Sequence, residues 1–220
     1  MCGRFAFFSP VEAVQSWFPE ARLPALKPHY NLAPSQTIAV LRDSPAAGRE
    51  VALLRWGLVP SWAKDPAIGN RLINARAETI AEKPSFRAAF RRRRCVILAD
   101  GFYEWQPREG EAKQPWFIRA VDGGPLLLAG IWEHWEQGEE PLQTCAIITR
   151  SANEFMQPVH QRMPVMLSLE NLSDWLRPDG TEAASAQLLQ QAPELAMHQV
   201  SRAVNDPSHD GPDLIRAAID

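Results

Sequence analysis

The stretch Cys95–Trp105, CVILADGFYEW, decides how the chain is read. Its apolar start, Cys95 to Ala99, is too short for a typical helix. It suits an interior β-strand covered on both faces. Period two along an extended segment then sends Phe102 and Glu104 to one face and Tyr103 and Trp105 to the other. One strand is therefore expected over Cys95–Trp105. Outward from it, apolar and β-branched runs predict strands at Thr37–Arg42, Val51–Gly57, Pro115–Ala120, Leu126–Trp135, Thr144–Thr149 and Pro164–Leu167. Helices are fewer. Ser9-Pro10-Val11-Glu12 has the form of a capping box with proline at the first helical position, predicting a short helix that runs to Phe18 and is stopped by Pro19. Pro84–Arg94 reads as a helix with Phe86 and Phe90 on one face and arginines at its C-terminal end, where they complement the dipole. Leu169–Leu176, Thr181–Gln191 and Pro212–Ile219 are further helical candidates. Strands outnumber helices and show no βαβ alternation. The expectation is a single α+β domain over residues 1–220, built on a curved, mostly antiparallel sheet or pseudo-barrel with flanking helices.

Composition narrows the function classes. With 45% apolar residues in 220, the chain can bury a sizeable core and is not a disordered segment. Its apolar runs are too short to span a bilayer, and the first residues lack the basic start and apolar stretch of a signal peptide. A cytoplasmic protein without a membrane partner is expected. Three cysteines, at 2, 95 and 145, form neither a disulfide framework nor a zinc-type pairing. Cys95 and Cys145 open apolar runs and read as small buried hydrophobes. A net charge of −3 argues against a generic nucleic-acid binder. Yet Arg71 to Arg94 holds eight basic residues against two acidic ones. Because salt screens charge over roughly 10 Å, such a segment can form a local anion-binding face or simply a solvated helix surface.

Several side chains carry chemistry. The chain begins MCGRF, and removal of Met1, the usual fate before a small residue, would leave Cys2 with an α-amine and a thiol on adjacent carbons. Glu104 lies among aromatics in ADGFYEW, an environment that raises a carboxyl pKa and suits a general acid or base. The alternative is an exposed glutamate on a strand edge. In HQRMPVM, His160 and Arg162 stand two apart and would project to the same side of an extended segment, a grip for a phosphate or a reacting oxygen. A structural histidine is the alternative. Asn74 and Arg76, in INARAET, repeat that spacing, with turn and surface roles as the alternative. Asn31, in YNLAP, reads most simply as a turn residue. Among eight tryptophans, including Trp62 in RWGLVPSW, most belong to the core, and one or two on a loop could stack on bases.

Taken together and in order, MCGRF, YNLAP, RWGLVPSW, INARAET, the FR/RRRRC run into ADGFYEW, KQPWFI, AGIWEHW, HQRMPVM and VSRAVND resemble the SRAP family, the SOS-response-associated peptidase or abasic-site processing proteins. The resemblance covers residues 2 to 207. One departure is Leu98, where a proline is common. The resemblance implies covalent capture of abasic sites in single-stranded DNA, particularly near a junction with duplex, through a thiazolidine on the processed N-terminal cysteine. Carried over by residue, it implies Cys2 as nucleophile, with Asn74, Glu104 and His160 in support. It implies DNA contacts at Arg4, Asn31, Arg76 and Arg162, and a wedge against stacked bases at Trp62. Gly3, without a Cβ, would let the backbone approach the sugar closely. No metal or organic cofactor is implied, and a place beside the nucleoid is expected once DNA is crosslinked. Rival readings are a cysteine peptidase limited to removal of Met1, a non-covalent single-strand-binding module, and a scaffolding protein.

Overall fold

The computed structural model describes residues 2–44, 48–180, 184, 188 and 192–218. In chain order its main elements are β1 (Phe5–Phe7), α1 (Val11–Trp17), β2 (His29–Leu32), β3 (Thr37–Ser44), β4 (Gly48–Trp56), β5 (Asn74–Arg76), α2 (Arg87–Arg92), β6 (Arg94–Ala99), β7 (Gly101–Arg108), β8 (Glu111–Ala120), β9 (Leu126–Trp135), β10 (Leu142–Ser151), β11 (Arg162–Pro164), β12 (Met166–Leu167), α3 (Leu172–Leu176) and β13 (Leu195–Gln199). The α+β expectation holds. One sheet has the antiparallel order β13-β8-β7-β1-β2, and the other the order β11-β10-β4-β3-β6-β9-β12 with β5 on β10. The second sheet curls until β10 pairs with β9 on one side and with β4 on the other. The β4 contact is only Thr144↔Arg55 and Cys145↔Trp56, so the sheet is strongly curved without closing into a full barrel. Among the named strands pairing is antiparallel except where β10 meets β4 and β5.

The single strand expected over Cys95–Trp105 is two strands in different sheets. β6 lies inside the curled sheet between β3 and β9, while β7 lies between β1 and β8. The chain crosses at Asp100. Its carboxylate accepts the backbone N–H groups of Phe8 and Ser9 at 2.6 and 2.7 Å, and its own N–H donates to Ala6 O at 2.8 Å. The next residue must be glycine. A Cβ on Gly101 would fall into the Phe117 ring and within 2.8 Å of Ile118 O. Beyond the crossing the period-two reading is correct: Phe102 enters the main core between the sheets, and Tyr103 packs with Phe117, Val200, Val204 and Leu214 on the far face. Each such side chain, fully buried, contributes about 1.5–3 kcal/mol of apolar stabilisation.

Other expectations change in detail. Ser9 does not cap α1; its hydroxyl donates to Asp100 at 2.5 Å, and Pro10 takes the N-cap position without a side-chain cap. The 84–94 helix is shorter, six residues from Arg87, because β6 already begins at Arg94. Phe86 and Phe90 do share its buried face. The arginine run is not one basic surface. Arg94 is buried, donating to the carbonyls of Phe90, Trp175 and Arg177, and Arg93 pairs with Glu133 at 2.7 Å. Only Arg91 and Arg92 of the four are exposed. Of the candidate helix Pro212–Ile219, a 3-10 turn over Pro212–Ile215 forms, and most of Thr181–Gln191 lies outside the described residues. Cys95 and Cys145 are buried and free of disulfides, as expected. Among the described residues no helix is long and apolar enough to cross a membrane.

Gly101→Ala should therefore destabilise the protein by about 1–3 kcal/mol through overpacking. Chemical denaturation of the variant checks this, and an unchanged midpoint would remove Gly101 as the requirement for the sheet crossing.

Candidate functional site

The first residues of the chain are built into a sheet. β1 pairs with β2 on one side and β7 on the other, and Tyr103 N donates to Arg4 O at 2.9 Å, extending the ladder beyond Phe5. Antiparallel pairing therefore runs the residues before Phe5 toward Glu104 and Trp105. Cys2 is 0% exposed, and its carbonyl accepts a hydrogen bond from Asn74 Nδ2 at 2.9 Å. Burial, followed by the charge of Glu104, pushes the Cys2 thiol far up from its ordinary value. The thiol is therefore neutral at rest.

Glu104 is 3% exposed, so the edge alternative does not hold. Burial raises its pKa, and the nearby His160 opposes that shift. His160 Nε2 stands 4.0 Å from Glu104 Oε2. Its Nδ1 accepts the backbone N–H of Arg162 at 2.9 Å, which leaves the ring proton of the neutral form on Nε2, facing the carboxylate. Segments that start as far apart as residues 2, 74, 104 and 160 thus come together, Asn74 on the Cys2 carbonyl and His160 beside Glu104, whose charge is felt by the thiol.

Two of the arginines sit at one end of β10. β5 pairs in parallel along it, with Thr149 opposite Arg76, and β11 pairs antiparallel, with Ser151 opposite Arg162. Asn74 and Arg76 share a face because Ala75 between them is buried. Arg76 is exposed. Arg162 is mostly covered: it donates to Thr149 O at 2.7 Å and makes a two-pronged ion pair with Glu78 at 2.6 and 2.9 Å.

Arg4 lies elsewhere, against the C-terminal segment. Its Nη1 donates to Asn31 Oδ1 and to Val204 O, both at 2.7 Å, and its guanidinium stands over the Trp105 ring. Asn31 is no turn residue. It lies in β2, 2% exposed, with Nδ2 donating to the carbonyls of Val204, Asp206 and His209. Its amide is fully engaged within the protein, with Oδ1 held by Arg4. Trp105 Nε1 is held by Asn205 Oδ1 at 2.7 Å, and an open groove of about 450 Å³ runs past Gly3, Arg4, Trp105, Lys113 and Asn205. Trp105, Lys113 and Asn205 were not singled out from the sequence. Only the alternation with Glu104 pointed to Trp105, and it pointed to the opposite face.

Trp62 is 58% exposed on a loop that is otherwise clamped. Val59 N donates to Thr144 Oγ1, Trp135 Nε1 donates to Ala63 O, and Gly57 opens the loop at φ 125, where a Cβ would stand 2.6 Å from Gly69 O. A rigid loop therefore presents a large aromatic face to solvent. Among the described residues no three His, Cys, Asp or Glu side chains converge to hold a metal.

A family model described as SOS response associated peptidase (SRAP) matches residues 1–207. The chain belongs to the SRAP family. The SRAP chain is 42% identical over 227 residues to the abasic site processing protein YoqW of Bacillus subtilis, covering 99% of this chain and all of that one. It is 35% identical to the abasic site processing protein HMCES of Gallus gallus, covering 90% of this chain and 68% of that one. Among solved structures, a Bordetella bronchiseptica protein superimposes with a TM-score of 0.79 at 27% identity, over 91% of the SRAP chain and all of its own length.

The buried acid sets a stability prediction. A carboxyl whose folded pKa is raised weakens the fold as pH climbs from the unfolded value, about 4.3, through the folded one, and the penalty is full above both. Glu104→Gln should thus melt higher than the wild type at pH 7, with the gap closing near pH 4. Equal melting temperatures at pH 7 would contradict a buried, charge-disfavouring site.

Proposed function

We propose that this chain processes abasic sites in single-stranded DNA by capturing them covalently on Cys2 once Met1 has been removed. The observation that carries the reading is the convergence of Asn74 and His160 on the buried Cys2 and Glu104. It is supported by relatives named as abasic site processing proteins.

The chemistry needs two nucleophiles on adjacent carbons. The α-amine of Cys2 adds to the C1′ aldehyde of the ring-opened sugar, and loss of one water gives an imine. Sγ–H then adds across the C=N bond: sulfur bonds to carbon and the proton ends on nitrogen, closing a five-membered thiazolidine. An α-amine has a reference pKa of about 7.7–8.0, so roughly a tenth is unprotonated at neutral pH. A buried, neutral thiol needs a proton acceptor as it attacks. Glu104, with its raised pKa, takes that proton and returns it, and also serves the opening of the sugar hemiacetal. His160 Nε2–H faces the same carboxylate and steadies its ionised form. Asn74 holds the Cys2 carbonyl, fixing the direction of the amine. The peptidase of the family's description corresponds here to removal of Met1, without which the amine is blocked.

Arg4, Arg76 and Arg162 neutralise phosphates, and Asn31 acts through Arg4. Trp62 stacks against bases where single strand meets duplex. A neutral-stacking and phosphate-based grip leaves sequence unread.

A denaturing gel tests the reaction. Purified protein mixed with a single-stranded oligonucleotide carrying one abasic site should give a shifted band, lost in Cys2→Ala and in a form with an uncleavable N-terminal extension. A band of equal intensity from the extended form would overturn capture through the amine. Trp62→Ala should weaken non-covalent binding by about 1–3 kcal/mol if the ring stacks on a base. Binding isotherms to a junction oligonucleotide measure it, and no change would free Trp62 from that role.

A further inference from the structure

Glu78 has no part in the capture chemistry, yet it stands on the segment that carries Asn74 and Arg76 and covers the guanidinium of Arg162. Its two carboxylate oxygens take Arg162 Nη1 and Nη2 at 2.6 and 2.9 Å. This is the end-on fork geometry by which arginine grips a phosphate. The Arg162 side chain is 16% exposed and that of Glu78 48%, so the carboxylate lies on the solvent side of the pair, where a DNA strand would arrive. Arg162 stays in place without it, because Nη2 also donates to Thr149 O at 2.7 Å. We propose that Glu78 is a specificity-determining residue: an internal stand-in for phosphate that competes with the DNA backbone for Arg162.

The proposal rests on the reading of Arg162 as a phosphate ligand. The Arg162 hydrogen bonds hold the Glu78 carboxyl at about 2, so it is ionised at any working pH. Backbone N–H groups of Glu78 and Ser151 help to fix it against the guanidinium. A phosphate approaching Arg162 must displace that carboxylate or sit beside a like charge. Either weakens the grip on every strand alike, since phosphates are the same at intact and abasic positions. The consequence is selective. Intact single strands leave quickly, whereas an abasic strand that has reached Cys2 is retained by a covalent bond that phosphate affinity does not influence. Discrimination is thereby shifted from backbone attraction to the aldehyde. The acidic net charge of −3 works in the same direction.

Glu78→Gln keeps the size and one acceptor but removes the charge; Glu78→Ala removes both. With an intact single-stranded oligonucleotide, both variants should bind more tightly than wild type, by about fivefold at low salt, the upper range for an exposed ion pair. The slope of log affinity against log salt should steepen by about 0.7, one more phosphate neutralised. Weaker binding by Glu78→Ala with Glu78→Gln near wild type would instead make Glu78 a support for Arg162 and overturn the proposal, as would unchanged affinity and slope in both. Thermal melting identifies any variant that fails to fold, and the Arg162→Gln background, in which Glu78→Gln should bring no gain, keeps the test decisive. Crosslinking of an abasic oligonucleotide by wild type is measured separately. Its absence would overturn the capture reaction while leaving the competition at Arg162 measured on its own terms.

Discussion

The rest of the site depends on one constraint: the backbone at Cys2 is held in a sheet and its side chain is out of water. β1 is not an edge strand, so its neighbours β2 and β7 fix the direction in which Gly3 and Cys2 leave it. A buried carbonyl at Cys2 would be destabilising if left unpaired, and Asn74 supplies the donor. Everything else is arranged around that anchored start. β7 must leave the curled sheet to lie beside β1, which requires the crossing at Asp100 and the absence of a side chain at Gly101. The C-terminal segment must return to hold Arg4 and Asn31, which ties residue 204 to residue 4.

Burial acts on Cys2 and Glu104 in the same sense. It raises the pKa of both the Cys2 thiol and the Glu104 carboxyl, and the charge of Glu104 raises that of the thiol further. His160 is the counterweight, close enough to favour the carboxylate without forming a tight ion pair. The surrounding cations are similarly restrained. Arg4 is engaged by an amide oxygen and a carbonyl, Arg162 by a carboxylate and a carbonyl, and Arg94, from the most basic stretch of the chain, is consumed inside the fold. The density of arginines in the sequence therefore overstates the positive surface that the folded protein presents.

Much of the fold is legible in the sequence alone. Strand positions followed from apolar runs, because period two and β-branching are local properties. The burial of Phe102 and the opposite direction of Tyr103 followed from the same rule. Four residues that the structure brings together stand out in the sequence: Cys2 for its adjacent amine and thiol, Glu104 for its aromatic setting with an exposed strand edge as the alternative, and Asn74 and His160 through a family resemblance. What failed was non-local. Nothing in CVILADGFYEW marks a change of sheet except a glycine, and a glycine alone does not distinguish a crossing from a bulge. Ser9 has the local form of a helix cap, but Asp100, distant in sequence, competes for its hydroxyl.

The same division separates what the amino-acid sequence determined by itself from what tertiary structure decided. Composition, periodicity and residue chemistry were enough for the fold class and the apolar core, since these depend on side chains and their immediate neighbours. Which arginine is exposed, which is spent on a carbonyl, and which is covered by Glu78 depends on contacts between segments tens of residues apart. Asn31 shows it most plainly. Its amide could have faced a turn or a strand of DNA, and only the return of residues 204 to 209 to its side of the sheet assigns all its hydrogen bonds to the protein.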